Sequence, residues 1–382
     1  MKIAFLTPEY PHPKTGSSGG IGTSIKNLAV GLLAQGNSVR VLVYGQNEEG
    51  VFDDNGVIVQ KIRNIKFKGL SWWLTRKKLE RIINQLYDDQ KTDLVEAPDW
   101  TGITSFIQPR KCPIVIRLNG SDAYFCHLDN RPVKGINKFH ERRALQKANA
   151  LVSVSQFTAD LTNEVFGLQQ EYTIIPNSID MNWFDNKSNE NSNDENTILY
   201  FGSLIRKKGL LELPFIFNEV IRKNPETKLL LIGKDVPDIV SGNPSTWAMM
   251  QSLFTEEALQ NISYLGSVPY QEIKKQIELA TVCVFPSFAE ALPVSWLEAM
   301  AMQKPIVASN LGWAKEIIID GIDGFLVNPK DHILYAQRIM EILENDKLQQ
   351  ELGLAARKKV GNKFSIEKVA QQSESFYKSL IN

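Results

Sequence analysis

The stretch from Ala280 to Ala301 constrains this chain more than any other. Ala280-Thr-Val-Cys-Val-Phe285 is an apolar run long enough for a buried strand, and Leu297 to Met302 favours helix, so strand and helix are joined by one tight loop. Two carboxylates mark the stretch, Glu290 in the loop and Glu298 on the helix. If every step between them were helical they would stand about 12 Å apart, whereas two carboxylates sharing one glycosidic bond sit roughly 5 to 9.5 Å apart. The spacing disfavours a hydrolase pair. It suits one elongated ligand held at both ends, with each carboxylate accepting hydrogen bonds from hydroxyls and the backbone N–H groups of Val294 and Ser295 facing an anion between them. A nucleotide diphosphate sugar has that layout. Taken singly, Glu290 also reads as a loop charge and Glu298 as a solvated helix charge.

At 382 residues the chain is too long for one ordinary core, and two α/β domains of under 200 residues each are expected. Lys plus Arg equals Asp plus Glu at 43 each, so no global field recruits nucleic acid, and any anion site must be built locally. Cys112, Cys126 and Cys283 are widely spaced and odd in number, which suits a reducing compartment. The apolar run after Met1 is too short for a signal peptide and no stretch approaches 18 apolar residues, so a cytoplasmic protein is expected.

Lys2 to Thr7 reads as a first strand, the Pro- and Gly-rich loop Pro8 to Gly22 follows, and Ile25, Leu28, Ala29, Leu32 and Leu33 mark an amphipathic helix. Gly19 and Gly20 could let the backbone approach an anion at the helix N-terminus, or could simply form a turn. No third glycine stands where a dinucleotide fingerprint needs one, and strand Val39 to Tyr44 ends without an acid for a ribose, so a nicotinamide site is disfavoured. Arg63 to Arg81 sets Lys66, Lys68, Arg76, Lys77 and Lys78 around Leu70, Trp72, Trp73 and Leu74, entering a helix that runs to about Asp88. Such a face could rest on an anionic membrane, or be a helix with a solvated basic side and its Trp residues in the core. Short strands follow at Leu94 to Glu96 and Ile114 to Leu118, the latter leading into Asn119-Gly-Ser-Asp122. After the helices and strands up to Ile175, the run Asp185 to Asn196 is almost wholly Asn, Asp, Glu, Ser and Lys, an exposed linker.

Thr197 to Phe201 starts a second βα series, with Gly202-Ser-Leu-Ile-Arg-Lys-Lys-Gly209 after its first strand. Three cations beside glycines at the mouth of a parallel sheet are placed to neutralise a pyrophosphate; the alternative is a solvated charge run. Strands Lys228 to Ile232 and Ile262 to Leu265 and helix Gln271 to Ala280 lead to the opening stretch. Beyond it come strands Ile306 to Ala308 and Phe325 to Val327, and a last helix, Ile366 to Leu380. His12, His127, His140 and His332 are too scattered for a metal site, and no Asp-x-Asp pair is present, so neither metal nor other cofactor is expected.

Glu290-x7-Glu298 with Ala299-Met-Ala and Lys304-Pro-Ile-Val-Ala-Ser309 resembles the donor-site signature of the retaining glycosyltransferases of family 4, the bacterial cell-surface glycan type also called group 1. The resemblance extends over nearly the whole chain. It implies the GT-B fold, two Rossmann-like doubly wound parallel-sheet domains facing across a cleft. The domains would be 1–180, binding acceptor, with the helix 365–382 packing back on it, and 197–364, binding the nucleotide sugar, with a polar linker 181–196 between. It further implies that Gly19 and Gly20 cover the donor phosphate, that Val95 to Trp100 lines the cleft, that Gly312 closes the donor loop, and that Leu292, Pro293, Val294 and Ser295 join Glu290 and Glu298 in holding the donor. The Gly-Arg-x5-Lys-Gly loop of the family is changed here. Ser203 stands where Arg is usual and the spacing is one shorter; Lys208 matches the lysine, and Arg206 is placed to supply the missing guanidinium. Family members often have His at the position of Asn119, and Asn cannot act as a base at neutral pH.

The activity implied is transfer of a hexose from a nucleotide diphosphate sugar, a uridine one by preference, to a glycan or lipid-linked acceptor in cell-surface polysaccharide synthesis. Retention by same-face attack, closure of the domains across the linker, and peripheral contact with the inner membrane belong to the same expectation. Leaving-group charge would be stabilised without metal by Arg206, Lys208 and backbone N–H groups. Two rivals stay open: a sugar-nucleotide epimerase of the same architecture, expected to place acids or histidines where Asn119 stands, and a non-catalytic two-domain sugar-binding protein.

Overall fold

The computed structural model describes residues 1–16, 18–185 and 196–381. They form two compact units, Met1–Ile179 with Phe364–Asn382, and Asp180–Lys363. Residues 186–195 of the expected linker, and Ser17 of the expected glycine loop, lie outside the described residues.

The first unit is built on eight strands: β1 (Lys2–Thr7), β2 (Ser38–Gln46), β3 (Gly50–Asp54), β4 (Val57–Arg63), β5 (Leu94–Pro98), β6 (Ile114–Leu118), β7 (Ala150–Ser153) and β8 (Thr173–Ile174). Their order is β3-β4-β2-β1-β5-β6-β7-β8, parallel throughout except for the antiparallel pair β3–β4. A parallel sheet is covered by helices on both faces, so its strands are apolar on both. In β1 the residues alternate accordingly. Ile3 and Phe5 join Ile25, Leu28 and Leu32 of helix Gly20–Ala34, while Ala4 and Leu6 join Leu79, Ile83 and Leu86 of helix Ser71–Asp88 on the other face.

The hairpin β3–β4 is absent from the sequence reading, although its signal is present. Asn55 and Gly56 both take positive φ, +54° and +92°, as a two-residue primed turn requires. The hairpin extends the edge of the sheet beyond β2. Helix Ser71–Asp88 also departs from one of the two readings offered for it: Trp72 and Trp73 remain exposed rather than entering the core.

Helix Ile366–Ile381 belongs to the first unit, packing on Gly20–Ala34 through Val369, Ala370 and Tyr377. Gly31 makes the close crossing possible, because a Cβ there would lie 2.6 Å from Ile366 Cγ2 and 2.7 Å from the Cβ of Ala370. A buried polar network reinforces the join: Tyr377 donates its hydroxyl to Glu96 Oε2 at 2.6 Å, and Glu96 pairs with Arg117 at 2.7 Å. Arg117 also donates to the carbonyl of Ile175 at 2.9 Å, so both charges are paired and hydrogen-bonded.

The second unit has six parallel strands, β9 (Thr197–Phe201), β10 (Lys228–Ile232), β11 (Ile262–Tyr264), β12 (Val282–Phe285), β13 (Ile306–Ser309) and β14 (Phe325–Val327), in the order β11-β10-β9-β12-β13-β14. The winding reverses between β9 and β12. In a doubly wound sheet the crevice beyond the strand ends at that reversal is where ligands bind, and here it receives the loops 202–209 and 286–293.

The Gly31 crossing predicts that Gly31→Ala, forced to push two packed helices apart, loses about 1–3 kcal/mol of stability. Gly135→Ala, where an added Cβ meets nothing within 4 Å, stays within about 0.5 kcal/mol of the parent. Denaturant midpoints of the two variants against the parent check both.

Candidate active site

Two glycines bring the loops at the winding reversal together. Gly209 has φ +71°, and a Cβ on it would lie 1.8 Å from the carbonyl oxygen of Pro286; only glycine permits that approach. Gly233 passes as closely to Gly202, where a Cβ would stand 1.9 Å from the Gly202 oxygen. The carbonyl of Lys207 then accepts hydrogen bonds from the N–H groups of Phe288 at 2.8 Å and Ala289 at 3.2 Å. The cationic turn Arg206–Lys208 is thereby stitched to the loop that carries Glu290.

One consequence is a short ion pair, Lys208 Nζ to Glu290 Oε1 at 2.7 Å. Ser287 donates its hydroxyl to the same oxygen at 3.0 Å. Glu290 is buried, as are Leu292 and Pro293, whereas Val294 and Ser295 are half-buried. Helix Val294–Ala301 begins three residues earlier than Leu297, because Pro293 with φ −71° serves as its N-cap, and no side chain caps it. The N–H groups of its first turn therefore follow closely in sequence on the loop that carries the Lys208–Glu290 pair.

Glu298 points inward and is 5% exposed. Tyr270, the first residue of helix Tyr270–Leu279, donates its hydroxyl to Glu298 Oε1 at 2.5 Å. Burial pushes the Glu298 carboxyl up to about 7, against the pull of the Tyr270 hydrogen bond and the Lys208 charge. Lys208 thus acts on both carboxylates, directly at Glu290 and through space at Glu298.

Arg206 has a partner that the sequence reading did not include. Its Nε and Nη2 donate to the two carboxylate oxygens of Asp238 at 2.8 and 2.7 Å. That fork, with further bonds from the Ser241 N–H and hydroxyl, holds the Asp238 carboxyl far below the usual carboxylate range. Ser203, at the position where the resemblance expects Arg, accepts the Tyr200 hydroxyl on its carbonyl at 3.0 Å.

In the first unit the glycine loop leads into helix Gly20–Ala34. Gly19 and Gly20 are exposed, but the first turn of helix Gly20–Ala34 already holds a carboxylate of the chain itself, with the Gly22 N–H donating to Glu9 Oε1 at 2.9 Å. Asn119 follows β6, its N–H donating to Asp99 Oδ1 at 2.9 Å and its side-chain amide to the Arg117 carbonyl at 3.3 Å. Glu141 accepts the N–H groups of Thr101, Asp122 and Ala123. Burial pushes Asp99 to about 7, helped by the Glu141 charge, and pushes Glu141 to about 7 against its three hydrogen bonds. The 119–123 loop is therefore pinned by two buried acids.

The structure brings Lys208, Glu290, Glu298, Ser203 and Arg206 together at one sheet end of the second unit; Gly19, Gly20 and Asn119 belong to the first. Sequence reasoning missed Tyr270, Asp238, Glu9 and Glu141 as partners, and none carries a local signal, because each meets its partner from a different loop or helix. Asp99 lies in the Val95 to Trp100 segment, where nothing local distinguishes it from a turn residue. Among the described residues no group of three or more His, Cys, Asp or Glu is arranged to hold a metal ion.

Comparison with known proteins agrees with this architecture. The family model for glycosyl transferases group 1 matches residues 181–359, and that for glycosyltransferase family 4 matches residues 18–183. An uncharacterized glycosyltransferase of Methanocaldococcus jannaschii is 26% identical across 99% of this chain and 98% of its own. The capsular polysaccharide biosynthesis glycosyltransferase CapM of Staphylococcus aureus is 26% identical across 65% of this chain and 67% of its own. Among solved structures, sucrose-phosphate synthase from Thermosynechococcus elongatus superposes with a TM-score of 0.80 at 21% identity, covering 100% and 99% of the two chains. HepE from Anabaena, crystallised with UDP and glucose, does so with 0.76 at 19% identity, covering 99% and 100%. The fold is GT-B.

The raised carboxyl of Glu298 predicts a pH effect of defined sign. The unfolded chain releases this proton in the ordinary carboxylate range and the folded chain near 7, so the parent loses stability relative to Glu298→Gln as pH rises between those values. Melting curves from pH 4 to 8 should show the two proteins alike at the acid end and Glu298→Gln ahead by about 3 kcal/mol at the other. A constant gap would refute the assignment.

Proposed function

Because the chain belongs to the glycosyltransferases of family 4 and group 1, we propose that it moves a hexose from a uridine diphosphate sugar to a glycan or lipid-linked acceptor in cell-surface polysaccharide synthesis, with retention at the anomeric carbon. The observation that carries the donor half of this reading is the Lys208–Glu290 ion pair beside an uncapped helix start, with the buried Glu298 further along the same helix.

Each group has a part suited to its environment. Glu298 accepts hydroxyl hydrogen bonds from the ribose, as it accepts that of Tyr270 in the structure. Glu290 accepts those of the hexose and is kept in place by Lys208 and Ser287. The bond between the anomeric carbon and the diphosphate oxygen breaks, the acceptor hydroxyl oxygen bonds to that carbon from the same face, and its proton passes to the departing phosphate. Lys208, Arg206 and the Val294 and Ser295 N–H groups stabilise the charge that grows on the nucleoside diphosphate. Those cations take the place of a divalent ion, so no metal is required. Asn119 contributes hydrogen bonding at the acceptor side and no proton transfer. Gly19 and Gly20 bring exposed backbone to the donor phosphate. CapM, named for capsular polysaccharide synthesis, supports the cell-surface assignment, and HepE with UDP and glucose supports the donor class.

Thermal shifts without metal test this reading, using uridine, guanosine and adenosine diphosphates and their hexose conjugates. A ligand at one hundred times its dissociation constant adds about 2.7 kcal/mol. The uridine conjugates should stabilise the parent, and Lys208→Met and Glu298→Ala should lose most of that gain. If no nucleotide shifts the parent, even with magnesium added, the donor reading fails. Consumption of donor to a new sugar nucleotide in the absence of any acceptor would replace transfer by epimerisation.

A further inference from the structure

Arg206 stands on the cationic turn of the candidate site, yet one side of its guanidinium is given to an acid that the proposed reaction does not use. A guanidinium can grip an oxyanion through two parallel N–H groups on either of two edges, the side edge of Nε with Nη2 and the end edge of Nη1 with Nη2. Asp238 takes the side edge, 2.8 Å from Nε and 2.7 Å from Nη2. Among the described residues the Arg206 side chain makes no other hydrogen bond, so its end edge is uncommitted. The arginine side chain is 39% exposed and that of Asp238 only 2%. An incoming ligand can therefore reach the cation but not the acid behind it. A lysine, a compact point charge, could not hold two anions in fixed directions in this way.

The acid is set in place by its own loop. Asp238 follows β10, the sheet neighbour of β9, whose loop carries Arg206. Where Gly233 passes Gly202 the two loops continue side by side, the Leu204 N–H donating to the Lys234 carbonyl at 2.8 Å and the Val236 N–H to the Leu204 carbonyl at 3.1 Å. The chain then closes on Asp238 itself. Its Oδ2 accepts the Ser241 N–H at 2.9 Å and hydroxyl at 2.5 Å, while its backbone N–H donates to the Asn243 carbonyl and its carbonyl accepts the Gly242 N–H, both at 2.8 Å. Asp235 ties down the far end of the loop by accepting the Ser245 hydroxyl at 2.6 Å and the Trp247 N–H at 3.0 Å. An exposed ion pair contributes little because both long side chains must be ordered to form it. Here one partner is ordered beforehand, and the pairing orders the other.

We propose that Asp238 is a positioning residue of the donor site: it holds the Arg206 guanidinium by the side edge and so presents the end edge to the diphosphate of the nucleotide sugar. This rests on the donor reading above and deepens it, assigning how Arg206 supplies the guanidinium that Ser203 lacks. A diphosphate that meets an already oriented arginine does not have to immobilise a rotamer-rich side chain on binding, an advantage of roughly two- to tenfold in affinity. Because Asp238 offsets its charge, Arg206 acts more through directed hydrogen bonds than through net charge.

Calorimetric titration of uridine diphosphate and of uridine tests this on the parent, Arg206→Ala, Asp238→Asn and the double variant. The fold-gain in affinity of the diphosphate over the nucleoside isolates the phosphate contacts. Simple electrostatics would raise that gain when the Asp238 charge is removed, so a fall reports lost orientation. Expected is a gain about threefold or more smaller in Asp238→Asn than in the parent, no further fall when Asp238→Asn is added to Arg206→Ala, and uridine affinity unchanged throughout. An acid that only braced its loop would not give that pattern. Ser241→Ala, which removes one hydrogen bond from the same carboxylate, should lower the gain in the same direction, and it decides the matter if Asp238→Asn does not fold. An unchanged gain overturns the proposal. So does a raised one, which would make Asp238 a competitor that keeps Arg206 from the phosphates, and so does a loss that persists without Arg206. A parent with no preference for the diphosphate overturns the donor reading and this proposal with it, a result visible in the parent alone.

Discussion

The approach of Gly209 to the Pro286 carbonyl is the contact on which the candidate site depends. Two strands adjacent in the sheet, β9 and β12, are separated by about eighty residues of chain, and their following loops have no reason to meet beyond the strand ends unless one offers no side chain. Gly209 removes that obstacle, and the Lys207 carbonyl then ties down Phe288 and Ala289. Any other residue at 209 would pay both for positive φ and for a clash with backbone that cannot rotate away. Lys208 and Glu290 meet because the backbone beneath them has already been joined.

Charge inside this protein follows one rule with two outcomes. Where a buried charge has an opposite partner and further hydrogen bonds, as in Glu96 with Arg117 and Tyr377, it serves to join elements, here a C-terminal helix and the first sheet. Where a buried carboxyl has no cation at contact distance among the described residues, as at Glu298, Asp99 and Glu141, desolvation moves its proton affinity toward neutrality. Glu298 is the informative case. A carboxyl held by one tyrosine hydroxyl in an apolar setting is poised to accept other hydroxyls, and the cation that steadies it, Lys208, is the one that anchors Glu290.

Large aromatic side chains divide between core and surface in both units. In the second, Trp296 and Trp313 are fully buried, whereas Trp183 and Phe215 stay exposed. In the first unit Trp72 and Trp73 stay out, because helix Ser71–Asp88 turns Leu79, Ile83 and Leu86 toward the sheet, while at its N-terminal turn Trp72 rests on Phe106 and His140 instead. Helical periodicity alone places a stripe but does not say where along the helix the stripe runs out of partners. For that reason the sequence supported two readings of this segment and the packing chose between them.

Most strands were legible because a parallel sheet buries both faces and leaves uninterrupted apolar runs: Lys2–Thr7, Ile114–Leu118, Thr197–Phe201 and Lys228–Ile232 stand where the sequence places them. The hairpin Gly50–Arg63 went unread because its strands alternate and lie at an edge, although Asn55-Gly56 announced the turn. At the site, composition and spacing determined which residues carry charge: Lys208, Arg206, Glu290 and Glu298 were all identifiable, since their chemistry is written in the side chains. Their partners were not. Tyr270 on Glu298, Asp238 on Arg206 and Glu9 at the first turn of Gly20–Ala34 depend on where distant loops come to rest, and hydrogen bonds of that kind leave no periodic trace in the chain. The sequence by itself determined the α/β class, the strands and the charged candidates, because burial and side-chain chemistry act locally; only the tertiary structure decided the pairings, because those are made across loops by backbone contacts such as that at Gly209.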